Sequence, residues 1–224
     1  MKPDHSHITL IVDRSGSMSS VRSDAEGGVN EFVRQQSEVP GTASLLLVEF
    51  DAPLDDREGL PSWYHVVHDG PIGATPSYKL SPRGNTALLD AIGRGITETA
   101  EWLGGLPDDS QPEHIFFVVQ TDGHENASRD FARDAVQAMI KQRTDEDHWE
   151  FVFLGMGPDT WGQGHDLGFA GVTRSAGTGE SYMASYGHTH SVIGDVRTGM
   201  ADHVHAANAE VDEAGNVVED EPTP

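Results

Sequence analysis

Four short apolar runs constrain what this chain can fold into more than any other feature. They are Ile8-Thr9-Leu10-Ile11-Val12, Ala43-Ser44-Leu45-Leu46-Leu47-Val48, Ile115-Phe116-Phe117-Val118-Val119 and Phe151-Val152-Phe153-Leu154. Each is nearly continuous rather than alternating, which is how a strand reads when both of its faces are buried. Between the runs the apolar period becomes helical. Val21, Ala25, Val29, Phe32 and Val33 share one face of a segment from about Ser19 to Glu38, stopped by Pro40-Gly41. Leu88, Leu89, Ile92, Ile96, Ala100 and Leu103 predict a second helix ahead of Gly104-Gly105, and Phe131, Ala135, Ala138 and Met139 a third. Ser181 to Val196 predicts the last helix, weakened by Gly187 and Gly194. Trp63 to His68, set between the Pro-rich stretches Ala52 to Pro61 and Pro71 to Pro82, reads as an edge strand, and Phe169 to Thr173 as a last strand. The alternation predicts an α/β fold, a doubly wound, mostly parallel sheet with helices on both faces. In such folds ligands sit beyond the carboxyl ends of the strands.

With 224 residues, 36% of them hydrophobic, the chain can bury one sizeable core. Its 37 acidic residues against 14 basic ones argue against nucleic acid or an anionic membrane as partner, since phosphate neutralisation needs clustered Lys and Arg. No apolar run approaches the roughly 18 residues of a membrane span, and the start lacks the apolar core of a secretory signal. The absence of cysteine removes thiolate chemistry and Cys-based zinc sites and fits a reducing compartment, so a cytoplasmic location is expected. Residues 1–198 read as one domain. Residues 199–224 read as an acidic tail, because Glu210 to Glu221 holds six acids and no base, with Val, Ala and Gly lacking any period. Such composition predicts disorder, with partner docking as the alternative.

Chemistry concentrates on three loops. Asp13-Arg14-Ser15-Gly16-Ser17 follows the first strand, Gly84-Asn85-Thr86 opens the second long helix, and Thr121-Asp122-Gly123 closes the Ile115 run. All three fall on the carboxyl edge of the predicted sheet. Asp13, Ser15, Ser17, Thr86 and Asp122 therefore offer two carboxylates and three hydroxyls, hard oxygens suited to a small divalent cation. Taken alone, Ser, Asp and Gly after a strand are also ordinary turn and cap residues, and Ser19 or Ser20 could cap the first helix.

Asp-x-Ser-x-Ser at 13 to 17, Thr86 in a Gly-x-Thr turn and Asp-Gly at 122 and 123, in that order, resemble the von Willebrand factor A domain over roughly residues 6 to 196. The stretches Pro82 to Asp90 and Gln120 to Asn126 are further similar to bacterial and phage members regarded as intracellular. The resemblance implies a doubly wound sheet with one antiparallel edge strand and a metal-ion-dependent adhesion site. That site would hold Mg²⁺ or Mn²⁺ through Asp13, Ser15, Ser17, Thr86 and Asp122. A protein partner presenting an Asp or Glu carboxylate would complete the metal shell. In some relatives the last helix shifts as the site engages, and here that helix would be Ser181 to Val196.

The competing reading is a Mg²⁺-dependent hydrolase or phosphotransferase on the same site. His124, Glu125 and Arg14 lie close enough in sequence to serve it, but no phosphate-binding loop, dinucleotide fingerprint, nucleophile elbow or zinc-protease motif accompanies them. Gly155-Met156-Gly157-Pro158-Asp159 reads as a turn leading into a short helix around Asp159 to Leu167. His188 and His190, with His203 and His205, make two His-x-His pairs that could bind zinc or nickel; exposed histidines in a polar segment are the simpler account. Asn126-Ala127-Ser128 matches a glycosylation sequon, though Asn126 or Ser128 reads better as a helix N-cap. Trp63, Trp102, Trp149 and Trp161 lack the spacing of a stacking platform and read as core or rim residues, and no organic cofactor is expected.

Overall fold

The computed structural model of this chain describes residues 1–52, 62–156, 161–204 and 208–219. Its strands are β1 (Lys2–Asp13), β2 (Thr42–Phe50), β3 (Tyr64–Pro71), β4 (Pro112–Thr121), β5 (Glu150–Met156), β6 (Gly171–Ser175), β7 (Ala209–Val211) and β8 (Val217–Glu219). Its α-helices are α1 (Arg22–Glu38), α2 (Leu88–Gly104), α3 (Arg133–Asp147), α4 (Trp161–Leu167) and α5 (Gly179–Arg197). The sheet runs in the order β3-β2-β1-β4-β5-β6-β7-β8. All neighbours are parallel except β2 with β3 and β7 with β8, so the α/β doubly wound reading holds with an antiparallel strand at each edge instead of one.

The continuous apolar runs are explained by burial on two sides. Ile8, Leu10 and Val12 of β1 and Phe116 and Val118 of β4 pack under α1 and α5 against Val29, Phe32, Tyr182 and Tyr186. Ile11, Phe117 and Val119, one position out of phase, pack against Leu88, Ile92 and Ile96 of α2 on the other face. Because side chains alternate faces along a strand, only a run apolar at every position can serve both layers.

Chain order reverses between β1 and β4. The first crossover carries the chain from β1 to β2 on one side, and α2 then brings it back past β1 to β4 on the other. Loops leaving neighbouring strands in opposite directions open a crevice at their carboxyl ends, and Asp13 and Thr121 are the last residues of those two strands.

Several expectations need correction. The first helix begins at Arg22, because Gly16–Val21 forms a tighter 3₁₀ segment, and Ser19 and Ser20 donate back to Gly16 O and Ser17 O without capping anything. The sixth strand is displaced to Gly171–Ser175 and is not the last. The tail expected to be disordered from residue 199 adds β7 and β8. Ala209 and Val211 are buried beside β6, and Asp212 closes the turn by accepting from Ala214 N and Asn216 N at 2.9 Å each while Gly215 takes φ +81°. The Pro-rich residues 53–61, positions 157–160 of the expected turn, His205 and residues 220–224 lie outside the described residues, as does the Trp161 side chain. Among the described residues no helix is long and apolar enough to cross a membrane.

Candidate metal centre

Asp13 is wholly buried, and two neighbours orient its carboxylate. Oδ1 accepts from Ser15 N and Oδ2 from Thr121 Oγ1, each at 2.6 Å. Burial pushes its pKa up to about 7 despite those hydrogen bonds. The loop then turns so that Ser15 Oγ lies 3.0 Å from Ser17 Oγ, which donates to Asp122 Oδ1 at 2.7 Å. Burial also raises the pKa of Asp122, which stands half-buried at the rim.

Thr86 lies two residues ahead of α2, and the loop after β4 holds it there. Thr86 N donates to Asn126 Oδ1 at 3.0 Å, and Asn126 N donates to Thr86 O at 3.1 Å. Glu125 and Ser128 cap α2 from outside, accepting from Leu89 N at 2.9 Å and Asp90 N at 3.0 Å. Asp90 returns the favour: its buried carboxylate accepts from the backbone N–H of Arg129, Asp130 and Phe131 at 2.8 to 2.9 Å. Asn126 and Ser128 are therefore caps, but of α2 and its entry rather than of α3, which starts at Arg133. This mutual clasp spends orphan donors of one helix terminus on side chains of another loop.

The convergence is best seen from Gly123. A Cβ there would lie 3.2 Å from Thr86 Oγ1, 3.7 Å from Ser17 Oγ and 3.8 Å from Asp13 Oδ2. The space beside one glycine thus faces oxygens from the β1 loop and the α2 entry, with Ser17 linked onward to Asp122. Asp13, Ser17 and Thr86 line this cradle, and Ser15 and Asp122 are joined to it through their hydrogen bonds with Ser17. The donors are oxygens only, with two carboxylates and no nitrogen or sulfur, and that set fits a hard, oxygen-seeking dication. Among the described residues no group of three His, Asp or Glu side chains gathers as an alternative metal site. His203 is tied by Nδ1 to Glu150 at 2.6 Å, and His190 meets Gln36 at 3.0 Å.

Two of the three residues that an enzyme reading drew on are engaged elsewhere, while His124 stands exposed. Arg14 turns away from the cluster and is buried against Glu49 and Asp51. Both oxygens of Glu125 accept hydrogen bonds, from Ala127 N, Ser128 N, Ser128 Oγ and Leu89 N at 2.6 to 2.9 Å. Sequence reading missed Thr121, Asp90 and Asn126 as supports of the site. Thr121 adjoins a selected aspartate and could have been suspected; Asp90 sits in a helical pattern where a polar residue normally means solvent.

No model of a known protein family matches this chain, and no curated protein sequence does. Solved structures do. The pilus adhesin SpaC from Lactobacillus rhamnosus GG in its open conformation aligns with TM-score 0.61 at 18% identity, covering 87% of this chain and 30% of that one. Proximal thread matrix protein 1 from the mussel byssus aligns with TM-score 0.58 at 12% identity over 88% of this chain and 47% of that one. A von Willebrand factor type A protein from Catenulispora acidiphila aligns with TM-score 0.52 at 14% identity over 92% and 44%. The chain spans less than half the length of each. At such identities the likeness is one of fold, and the fold is von Willebrand factor A-like.

Proposed function

We propose that this chain is a metal-dependent recognition module of the von Willebrand factor A type, with a metal-ion-dependent adhesion site. Asp13, Ser15, Ser17, Thr86 and Asp122 would hold Mg²⁺ or Mn²⁺. When bound, the ion supplies a positive centre that an Asp or Glu carboxylate of a protein partner can approach. The observation that carries this reading is the cradle at Gly123, where hydroxyl and carboxylate oxygens converge beside a residue with no side chain. The chain's own residues do the positioning: Thr121 and Ser15 N hold Asp13, and the Glu125–Asp90 clasp holds Thr86.

Several physical points favour recognition over catalysis. Three of the five ligands would be neutral hydroxyls and the two carboxylates would no more than balance the ion's charge, so an external carboxylate can still enter its shell. The buried Arg14 and the fully engaged Glu125 are withdrawn from a hydrolytic role, which leaves that reading only the exposed His124 as a base. The chain's formal charge of -23 would repel an acidic partner at long range, so capture would depend on the ion. The intracellular type and a cytoplasmic location belong to the same proposal, in keeping with a chain free of cysteine.

The test is a pull-down from host lysate in Mg²⁺, in EDTA, and with Asp13→Ala as bait. A partner retained by the wild-type chain in Mg²⁺ and lost in both other arms supports the reading. A partner held equally in all three removes it. Phosphatase and nucleotidase assays with Mg²⁺ give the opposing outcome, since turnover lost in Asp122→Ala would make the site catalytic.

A further inference from the structure

Asp51 stands just past the end of β2 and outside the oxygen cluster, yet its groups reach both loops that carry ligand hydroxyls. Its buried Oδ2 accepts from Arg14 Nε at 2.9 Å and from Arg83 Nε. Its carbonyl accepts from Ala87 N at 3.3 Å. Arg14 lies between Asp13 and Ser15, and Ala87 follows Thr86. The two loops are also laced to each other: Arg83 N donates to Arg14 O at 2.8 Å and Gly16 N to Gly84 O at 3.0 Å. On its far side the hub is tied to the approach to β3, where Asp51 N donates to Trp63 O at 2.8 Å and the Arg14 guanidinium donates to Ser62 O. Glu49 supplies the second carboxylate to Arg14, so one buried and one partly buried cation face two anions.

A buried ion set of this kind is weak evidence for stability, because desolvation offsets most of the attraction and an apolar replacement often serves as well. What apolar packing cannot do is set a distance. A guanidinium held through Nε and its terminal nitrogens is fixed in plane and direction, and here two of them converge on one carboxylate from the two loops. We propose that Asp51 is a positioning residue that sets the separation of the Asp13–Ser17 loop from Thr86. It thereby gives the site its preference for a small ion. Mg²⁺ demands near-octahedral oxygens at short range, whereas Ca²⁺ accepts a looser and larger shell. This inference rests on the reading of Asp13, Ser15, Ser17, Thr86 and Asp122 as metal ligands.

Titration calorimetry with Mg²⁺ alone and with Ca²⁺ alone tests it on the full chain, its Asp13→Ala variant, Asp51→Asn and Arg83→Met. Loss of a supporting partner around a metal site costs about tenfold or more in affinity. Asp51→Asn is expected to weaken Mg²⁺ by about that factor while Ca²⁺ changes much less, so the ratio of the two affinities moves. A merely structural role would lower the melting temperature without moving that ratio. Should Asp51→Asn fail to fold, Arg83→Met supplies the comparison, because its side chain is partly exposed and the Arg14–Asp51 pair remains. Its expected ratio change is in the same direction and smaller. Wild-type binding of Mg²⁺ that Asp13→Ala abolishes, with an unchanged ratio in either folded variant, overturns the role of Asp51 and leaves the metal site standing. A wild-type chain that binds neither ion overturns both.

Discussion

Ser17 and Asp122, 105 residues apart in sequence, share a 2.7 Å hydrogen bond across the mouth of the oxygen cluster. The bond joins the loop after β1 to the loop after β4, the two strands between which the sheet's order reverses. Each is also at the exposed side of the cluster, while Asp13, Ser15 and Thr86 are buried beneath. The lower three are thus held by the fold, and the upper two are the groups that can rearrange when an ion arrives.

Ser17→Ala and Asp122→Ala are therefore expected to fold normally and to lose the stabilisation by Mg²⁺. An ion at a hundred times its dissociation constant contributes about 2.7 kcal/mol, and each kcal/mol moves the melting temperature of a chain this size by about 2–4 °C. The wild-type midpoint should rise by several degrees between EDTA and saturating Mg²⁺. Differential scanning fluorimetry reads this directly. Equal rises in wild type and Asp122→Ala would remove Asp122 from the ligand set.

Glu125 offers a contrast between support and catalysis. Its carboxylate accepts four hydrogen bonds, three from the loop it starts and one from the first turn of α2. Truncation leaves the backbone donors of Ala127, Ser128 and Leu89 without their acceptor, so Glu125→Ala should cost about 2 kcal/mol or more in urea unfolding. Glu125→Gln keeps acceptor capacity and should cost less. Mg²⁺ affinity should fall in the alanine variant through the displaced Thr86, and a loss of affinity with unchanged stability would contradict the clasp.

Why the sheet and the grouping of Asp13, Ser15, Ser17, Thr86 and Asp122 on one edge were legible, while the residues that hold them were not, follows from the range of the interactions. The runs at Ile8 and Ile115 carry their own burial pattern, since every position is apolar. The Asp-x-Ser-x-Ser spacing puts its hydroxyls within one loop. Asp51, Asp90 and Glu125 act on residues about 35 to 40 positions away, and nothing local distinguishes a buried carboxylate receiving backbone donors from a solvated one. β7 and β8 were hidden for a different reason. Three-residue strands are too short for a period to emerge, and the acids around Val211 outweigh it in any average, although Val211 itself is buried against the sheet.

His7 sets a testable acid limit. It is buried on β1, with Nδ1 2.8 Å from Ser44 Oγ and Nε2 3.2 Å from Thr9 Oγ1, and its ring lies 4.4 Å from that of Trp102. Burial, aided by His5, lowers its pKa from 6.5 to about 3. A histidine whose folded pKa is depressed contributes stability above its unfolded value and loses it as the pH falls towards the folded one. The window here runs from about 6.5 down to 3. Asn at this position can keep the bond to Ser44 without titrating. His7→Asn should therefore lose less stability than wild type between pH 6.5 and 4.5, and the difference between their two unfolding profiles isolates this one group. Parallel profiles would mean that His7 is already solvated or charged in the native state.

Gly123 gives the sharpest test of the cradle, because its substitution adds one methyl and takes nothing away. Its φ lies outside the left-handed region, so alanine can adopt the same backbone. The new Cβ would stand 3.2 Å from Thr86 Oγ1, a tight contact that a shift of a few tenths of an ångström relieves, and within 4 Å of Ser17 Oγ and Asp13 Oδ2. The methyl then occupies the space those oxygens face. Gly123→Ala is expected to keep the fold, shown by an unchanged circular dichroism spectrum and a melting temperature in EDTA within a few degrees of wild type. Its Mg²⁺-dependent rise should disappear. Undiminished Mg²⁺ binding in this variant would place the ion elsewhere on the molecule and separate the Asp13 loop from any metal.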